Sequence, residues 1–248
     1  MRCAIEVLMI DLHCHILPGV DDGSAQMEIS LDMAALAAAS EIGTIVATPH
    51  CNTRDQRKNY RSPELDAAFA ALQQAIDRAG TPVKVLPGSE VLLRNDVGLL
   101  LDTQPLYTLA GSRYLLVEFY FDEDPRFMDE ALATVRRHSL IPVVAHPERY
   151  FCVQDMPRMA ERWYERGYLL QLNKGSILGD LGERAYDTGR DFLQRGLCHV
   201  IASDAHHAAW RTPSFLRLLD ELDYFFPQVP AELLLERNPR RIIENCIL

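Results

Sequence analysis

Short apolar runs alternate with longer amphipathic stretches along the whole chain. Near-continuous β-branched or apolar runs occupy Glu6–Leu12, Thr44–Thr48, Val83–Leu86, Tyr114–Phe119, Ile141–Ala145, Leu169–Leu172 and His199–Ala202. Strands of a parallel sheet read this way, because helices cover both faces and leave no position for water. Between them, apolar residues recur at helical spacing over Met27–Glu41, Pro63–Ala79, Arg126–His138, Met156–Arg166, Gly182–Arg195 and Pro213–Phe225. Ser62 and Pro63 form a start signal for the second helix, a capping hydroxyl followed by a residue with φ preset. Seven βα units in succession predict an α/β fold, a closed or distorted seven-stranded parallel (β/α)7 TIM-like barrel, with a doubly wound open sheet as the alternative. The segment Pro230–Leu248 reads as one or two short closing helices. No repeat, low-complexity tract or flexible linker interrupts the pattern, so residues 1–248 are expected to form a single domain.

Composition narrows the function. The chain has 248 residues, 48% of them hydrophobic, enough for a sizeable core. A net charge of -10 disfavours nonspecific attachment to nucleic acid or anionic lipid. A phosphorylated substrate remains compatible if the site itself is cationic, and bound metal ions supply such local charge. No stretch approaches the roughly 20 apolar residues that span a bilayer. Met1–Ile10 is mildly apolar but runs straight into Asp11 and His13, with no signal-peptide features. A cytoplasmic location is expected, and Met9 is an alternative start. The six cysteines are scattered, without a CxxC pair, and read as free thiols.

The chemistry is positional. The first strand ends in Asp11-Leu12-His13-Cys14-His15, the second in Thr48-Pro49-His50, and the third runs into Gly88-Ser89-Glu90. The fourth ends in Val117-Glu118, the fifth in Ala145-His146-Pro147-Glu148-Arg149, the seventh in Ser203-Asp204-Ala205-His206. In parallel α/β folds these strand ends converge on one face. Residues two apart on a strand share a side, so His13 with His15, and Asp204 with His206, are each placed to chelate one ion. Mixed imidazole and carboxylate donors suit Mn, Fe or Zn. Their number exceeds the need of one tetrahedral ion and fits two or three ions bridged by carboxylates. Such a cluster lowers the pKa of a bound water and stabilises charge on a transferring phosphoryl group.

These motifs carry a resemblance. Met9-Ile-Asp-Leu-His-Cys-His-Ile-Leu-Pro-Gly-Val-Asp-Asp-Gly-Ser24 resembles the opening of the PHP (polymerase and histidinol phosphatase) superfamily. More narrowly it is similar to the bacterial PHP-type protein tyrosine phosphatases of capsule and exopolysaccharide synthesis. The likeness extends through Thr48-Pro-His50, Gly88-Ser-Glu90, Val117-Glu-Phe119, Ala145-His-Pro-Glu-Arg-Tyr150, Gln171-Leu-Asn-Lys-Gly-Ser176, Ser203-Asp-Ala-His206 and Asn238-Pro239. It implies a distorted seven-stranded barrel with a trinuclear site, usually of Mn2+, with Fe, Zn, Co or Mg as alternatives. By the same resemblance His13, His15, Asp22, His50, Glu90, Glu118, His146, Asp204 and His206 are ligands, and Glu90 bridges. Arg149 and Arg211 would grip the phosphate oxygens, a task that suits a guanidinium fork. The implied substrate is a phosphotyrosine protein, a tyrosine kinase of polysaccharide export with a tyrosine-rich tail. The choice of Asp22 over Asp21 comes from the motif alone. Lys174 reads either as a phosphate contact or as a solvent-facing cation. The chain departs from the pattern at Cys51, where a polar residue or histidine is common, at His207, where asparagine is common, and in its residues before Met9.

Other readings compete. His50 to Arg57 matches HCx5R, the loop of cysteine-dependent tyrosine phosphatases, but it lacks the glycine that lets backbone approach phosphate and carries Asp55 inside. A small-molecule phosphatase of the histidinol-phosphate type would use the same ligands. An amidohydrolase would more often bridge its metals with a carboxylated lysine, where this chain has Glu90 and Glu118. A non-catalytic metal-binding module and a polymerase-linked nuclease are the remaining readings, and no basic stripe supports the latter.

Overall fold

The computed structural model describes residues 8–53 and 58–248. All its strand pairings are parallel, in two sheets. One has three strands in the order β1 (Met9–Cys14), β2 (Ile42–Ala47), β4 (Lys84–Pro87). The other has six, in the order β3 (His50–Cys51), β5 (Glu90–Leu92), β6 (Tyr114–Glu118), β7 (Ile141–Ala145), β8 (Leu169–Asn173), β9 (Val200–Ala202). Ten α-helices are described: α1 (Met27–Ala38), α2 (Pro63–Arg78), α3 (Val97–Thr103), α4 (Pro125–Arg137), α5 (Phe151–Asp155), α6 (Arg158–Glu165), α7 (Lys174–Ile177), α8 (Glu183–Gln194), α9 (Leu216–Phe225) and α10 (Asn238–Ile243). Ser62 caps α2 as expected, its Oγ accepting from Leu65 N–H at 3.2 Å.

The parallel α/β class is as the pattern predicts, but one closed seven-stranded barrel is not what forms. Beyond the second and third predicted strands, after breaks at Thr48-Pro49 and at Gly88-Ser89, the chain forms two further short strands, β3 and β5, that join the other sheet. Pro49 has no N–H to give a ladder, which explains the first break. β1 meets the chain beyond β9 through a single bridge, Cys14 to Ala205. Hydrogen bonds from His15 N to Ala205 O (2.8 Å) and from Asp204 N to His13 O (2.8 Å) reinforce that contact. Of the first predicted strand, Glu6 and Val7 lie outside the described residues.

The alternation of side chains explains where the site sits. Leu115 and Val117 join a large core with helix residues such as Leu72, Leu132, Trp163 and Phe192. Tyr114 and Leu116 join a second, smaller core with Ile10, Leu12, Val46, Val143, Ala145, Leu169 and Val200. Both faces of the strands are therefore buried, as their apolar sequences require. Continuing the inner parity toward the C-terminal ends leads from Leu116 to Glu118 and from Leu169 to Gln171 and Asn173. The inner file is apolar at one end and ligating at the other. Three histidines break parity, His13 and His15 together and His146. His13 follows inner Leu12, and there the register of β1 on β2 shifts between Asp11 and Cys14. His146 follows inner Ala145, and its backbone turns left-handed at φ 37.

Candidate metal centre

The nine candidate ligands gather around Glu90 in a cluster that is buried except at its rim, where Asp22 is exposed. His50 and Glu90 are paired across the β3–β5 ladder. The two oxygens of Glu90 serve different neighbours. Oε1 is 2.9 Å from His146 Nε2, while Oε2 lies 3.2 Å from His13 Nε2, 3.3 Å from His15 Nε2 and 3.0 Å from His50 Nδ1. Glu118 Oε1 is 2.9 Å from His50 Nδ1. Asp204 Oδ1 is 3.5 Å from His13 Nε2 and 3.4 Å from His15 Nε2. His206 and His50 face Asp22, at 3.9 Å and 3.5 Å.

Among the described residues three groups have the geometry to hold an ion: His15, Asp22, His50 and His206; His13, His15 and Glu90; and His50, Glu90 and Glu118. Glu90 is shared by two of them, as a bridging carboxylate must be. The tautomers test whether cations fit. His13 Nδ1 is 2.8 Å from Gln171 Oε1 and His15 Nδ1 is 2.8 Å from Asp21 Oδ2. Those acceptors fix the protons on Nδ1, leaving a lone pair on each Nε2. The two Nε2 atoms stand only 3.1 Å apart. Two lone pairs aimed together beside a carboxylate repel unless positive charge lies between them. Glu90 Oε2, buried and without a hydrogen bond despite three nearby nitrogens, carries the same signature. The residues fit divalent metal ions.

The electrostatics agree. Burial opposes charge on His50, yet Glu90 and Glu118 hold it up at about 10. His206 is driven down to about 3 by burial and by neighbouring His15. Burial and Glu90 raise Glu118. So much carboxylate in a dry site demands compensating cations.

Backbone strain gathers here too. His146, Asp204 and Arg211 all have positive φ, at 37°, 49° and 46°. Non-glycine residues rarely adopt that region, and they do so where surrounding structure enforces it, often at functional sites. Asp204 and His206 do share the site, at 3.6 Å, but not through strand spacing, because β9 stops at Ala202.

The loop with the two aspartates divides their work. Asp21 accepts from Gly23 N–H (2.9 Å) and His50 N–H (3.0 Å) besides holding His15. Asp22 faces the ring nitrogens. Gly23 is obligatory, since a Cβ there would lie 2.2 Å from His15 O. The two arginines stand together at Asp204 Oδ2, Arg211 at 2.6 Å and Arg149 at 3.5 Å. Arg149 also lies over the ring of Phe121, 4.5 Å from its centroid. Lys174 is not solvent-facing. It is buried, and its ammonium donates to the carbonyls of Thr212 and Ser214.

The motifs include Gln171, Asn173 and Asp11 but give them no role, and the structure supplies one as a second layer. Gln171 Nε2 donates to Asn173 Oδ1 at 2.9 Å, and Asn173 Nδ2 donates to Asp204 Oδ2 at 2.5 Å. Thus two polar residues of β8 tie His13 to Asp204. Their signal was present, two polar residues spaced by two in an otherwise apolar strand. Asp11 is another, accepting from Ser203 N–H at 3.0 Å and pinning β9 to β1. Replacing Gln171 by leucine is expected to lower metal affinity by about 10–100-fold while leaving the fold intact. Metal titration of the variant checks this, and unchanged affinity would show that Gln171 does not orient His13.

The HCx5R reading fails on its nucleophile. Cys51 is buried, its Sγ donates to Lys58 O at 2.8 Å, and burial pushes the thiol up to about 12. A reactive cysteine needs the opposite shift. Asp55 and Arg57 lie outside the described residues.

Fold and site together define a metal-dependent phosphatase of the α/β class: imidazoles and carboxylates share one buried cluster, with two guanidinium groups at its edge. The comparisons with known proteins narrow this. Residues 9–244 match the family described as capsular polysaccharide synthesis, CpsB/CapC, and the chain belongs to that family. It is 35% identical over 238 residues to the tyrosine-protein phosphatase YwqE of Bacillus subtilis, covering 93% of this chain and 92% of that protein. It is 29% identical over 248 residues to the tyrosine-protein phosphatase CpsB of Streptococcus pneumoniae, covering 97% of this chain and all 100% of the relative. Among solved structures, a chain from the crystal structures of YwqE and CpsB, described as unique metal-dependent tyrosine phosphatases, superposes with a TM-score of 0.87 at 32% identity, over 96% of this chain and 95% of that one. A phosphotriesterase homology protein of Escherichia coli shares the fold, with a TM-score of 0.61 at 11% identity over 96% of this chain and 98% of that one.

Proposed function

We propose that this chain is a manganese-dependent protein tyrosine phosphatase that removes phosphate from a tyrosine kinase of polysaccharide synthesis or export. The observation that carries the reading is Glu90, a buried carboxylate with four imidazole nitrogens within 2.9–3.3 Å. His13, His15, Asp22, His50, Glu90, Glu118, His146, Asp204 and His206 would hold two or three ions. Bound there, the metal would supply an activated water and positive charge opposite the phosphoryl group. The remaining work belongs to the chain. Arg149 and Arg211, now turned to Asp204, would take the phosphate oxygens. The packing of Phe121 against Arg149 restricts that guanidinium, and the grip of Lys174 on the 212–214 carbonyls steadies the segment carrying Arg211. The two parallel sheets, bridged at Cys14 and Ala205, support reading the scaffold as a distorted barrel and residues 1–248 as one domain. A cytoplasmic location fits the substrate. Among the described residues no helix is long and apolar enough to cross a membrane.

Turnover of a phosphotyrosyl peptide with added Mn2+, set beside histidinol phosphate, tests the reading. A preference for histidinol phosphate would favour the small-molecule alternative. Chelation is expected to abolish activity, whereas iodoacetamide, which needs a thiolate, is expected to leave it intact because Cys51 is buried with a raised pKa. The reverse pattern would restore the cysteine route.

A further inference from the structure

A cleft of about 440 Å³ opens beside the arginine edge of the centre. Of its lining residues, Asn173, Ser203 and Arg211 belong to the site, while Leu178, Leu181 and Trp210 supply apolar surface. We propose that this cleft receives the tyrosyl ring of the substrate, with Trp210 and Leu181 as the residues that set preference for aromatic phosphate esters. The inference rests on the phosphatase reading above and adds where the leaving group sits.

In phosphotyrosine the ring is bonded directly to the ester oxygen. A surface that binds the ring must therefore adjoin the groups that bind the phosphate. Trp210 and Arg211 are consecutive, so one segment presents both. That segment is held: His206 N donates to Arg211 O at 3.0 Å, and Lys174 Nζ donates to Ser214 O at 2.9 Å. Trp210 is 55% exposed, so its ring face is open to a ligand in the cleft. It is not loose, because its ring stacks on His207 with centroids 5.5 Å apart and planes 10° from parallel. A preordered flat ring binds another aromatic ring with little loss of side-chain freedom. On the other side, Leu181 packs close over Gly175. A Cβ at that glycine would lie 3.0 Å from Leu181 Cγ, so the glycine makes room for the leucine. A second cleft, of about 320 Å³, is lined by Phe121, Arg149 and Phe151. It is the weaker candidate, because Arg149 already covers the ring of Phe121.

The test uses the metal-loaded protein with Trp210→Ala, Leu181→Ala and Phe151→Ala. Turnover is measured on a phosphotyrosyl peptide and on glycerol 2-phosphate, an alkyl ester. Trp210→Ala is expected to lower kcat/KM for the peptide about tenfold, through KM, and to leave the alkyl ester unchanged. Leu181→Ala should do the same to a smaller degree, and Phe151→Ala should do neither. The chain has two tryptophans, and Trp163 is fully buried. Phenylphosphonate should therefore quench the exposed Trp210 emission in the wild type, and methylphosphonate should not. An unchanged aryl-to-alkyl ratio in Trp210→Ala would overturn the proposal, as would a loss confined to Phe151→Ala. Absence of turnover on both substrates by the wild type would sink the phosphatase reading instead, while the quenching experiment would still report the ring site.

Discussion

Replacing Glu90 by glutamine is expected to strip the protein of metal and, with the metal-activated water gone, to cost at least about three orders of magnitude in kcat. The argument is one of charge at constant shape. Glutamine fills the same volume, so the surrounding core keeps its packing. It removes the negative charge that two ion groups share, and it places an amide where Oε1 meets His146 at 2.9 Å and Oε2 meets three other imidazoles. An N–H donor satisfies a nitrogen lone pair, whereas a cation cannot sit beside it. The metal reading therefore predicts an apoprotein at least as stable as the wild-type apoprotein, together with metal content near zero after desalting. A purely structural role predicts something different. If Glu90 only balanced buried protonated histidines, the variant would melt earlier and bind metal as before. Elemental analysis and a thermal melt on the same sample separate the two, and full metal occupancy with normal turnover would remove Glu90 from the centre of the site.

How much of this was legible in the sequence follows from which forces act locally. The apolar runs give the strands nearly residue for residue at Ile141–Ala145, because a strand buried on both faces admits little else. The ligands were legible because strand ends in a parallel fold share a face, so chemistry scattered over nearly 200 positions from His13 to His206 has one place to meet. What escaped depends on partners distant in sequence. The breaks at Thr48-Pro49 and Gly88-Ser89 decide which sheet receives β3 and β5, and the apolar pattern does not encode sheet membership. α3, α5 and α7, of 7, 5 and 4 residues, are too short to show a periodicity. The positive φ of His146 and Asp204 is imposed by tertiary contacts, not by residue preference. Lys174 shows the limit most clearly. As a lysine beside a glycine it reads as surface, and only the fold brings the Thr212 and Ser214 carbonyls that receive its ammonium.

Arg149→Ala and Arg211→Ala are expected to keep their metal and lose turnover, each by about 10²–10³-fold in kcat/KM, the scale for one donor aimed at developing charge. Their position decides this. Both guanidinium groups reach only the outer oxygen of Asp204, Oδ2, while Oδ1 faces His13 and His15. Removing either arginine leaves the ligand side of that carboxylate intact. The loss should differ between the two. Arg211 is the nearer, at 2.6 Å, and sits in a strained backbone held by Lys174, so its alanine variant also relaxes the segment and should lose more. Arg149 rests on Phe121, and Phe121→Ala should reproduce a fraction of its effect by freeing the guanidinium. Lysine at either position should recover little, because a single ammonium does not reproduce the two-pronged contact with a phosphate. Parallel loss of metal in Arg149→Ala would mean that the arginine supports the ligand shell, and equal turnover would take it out of phosphate binding altogether.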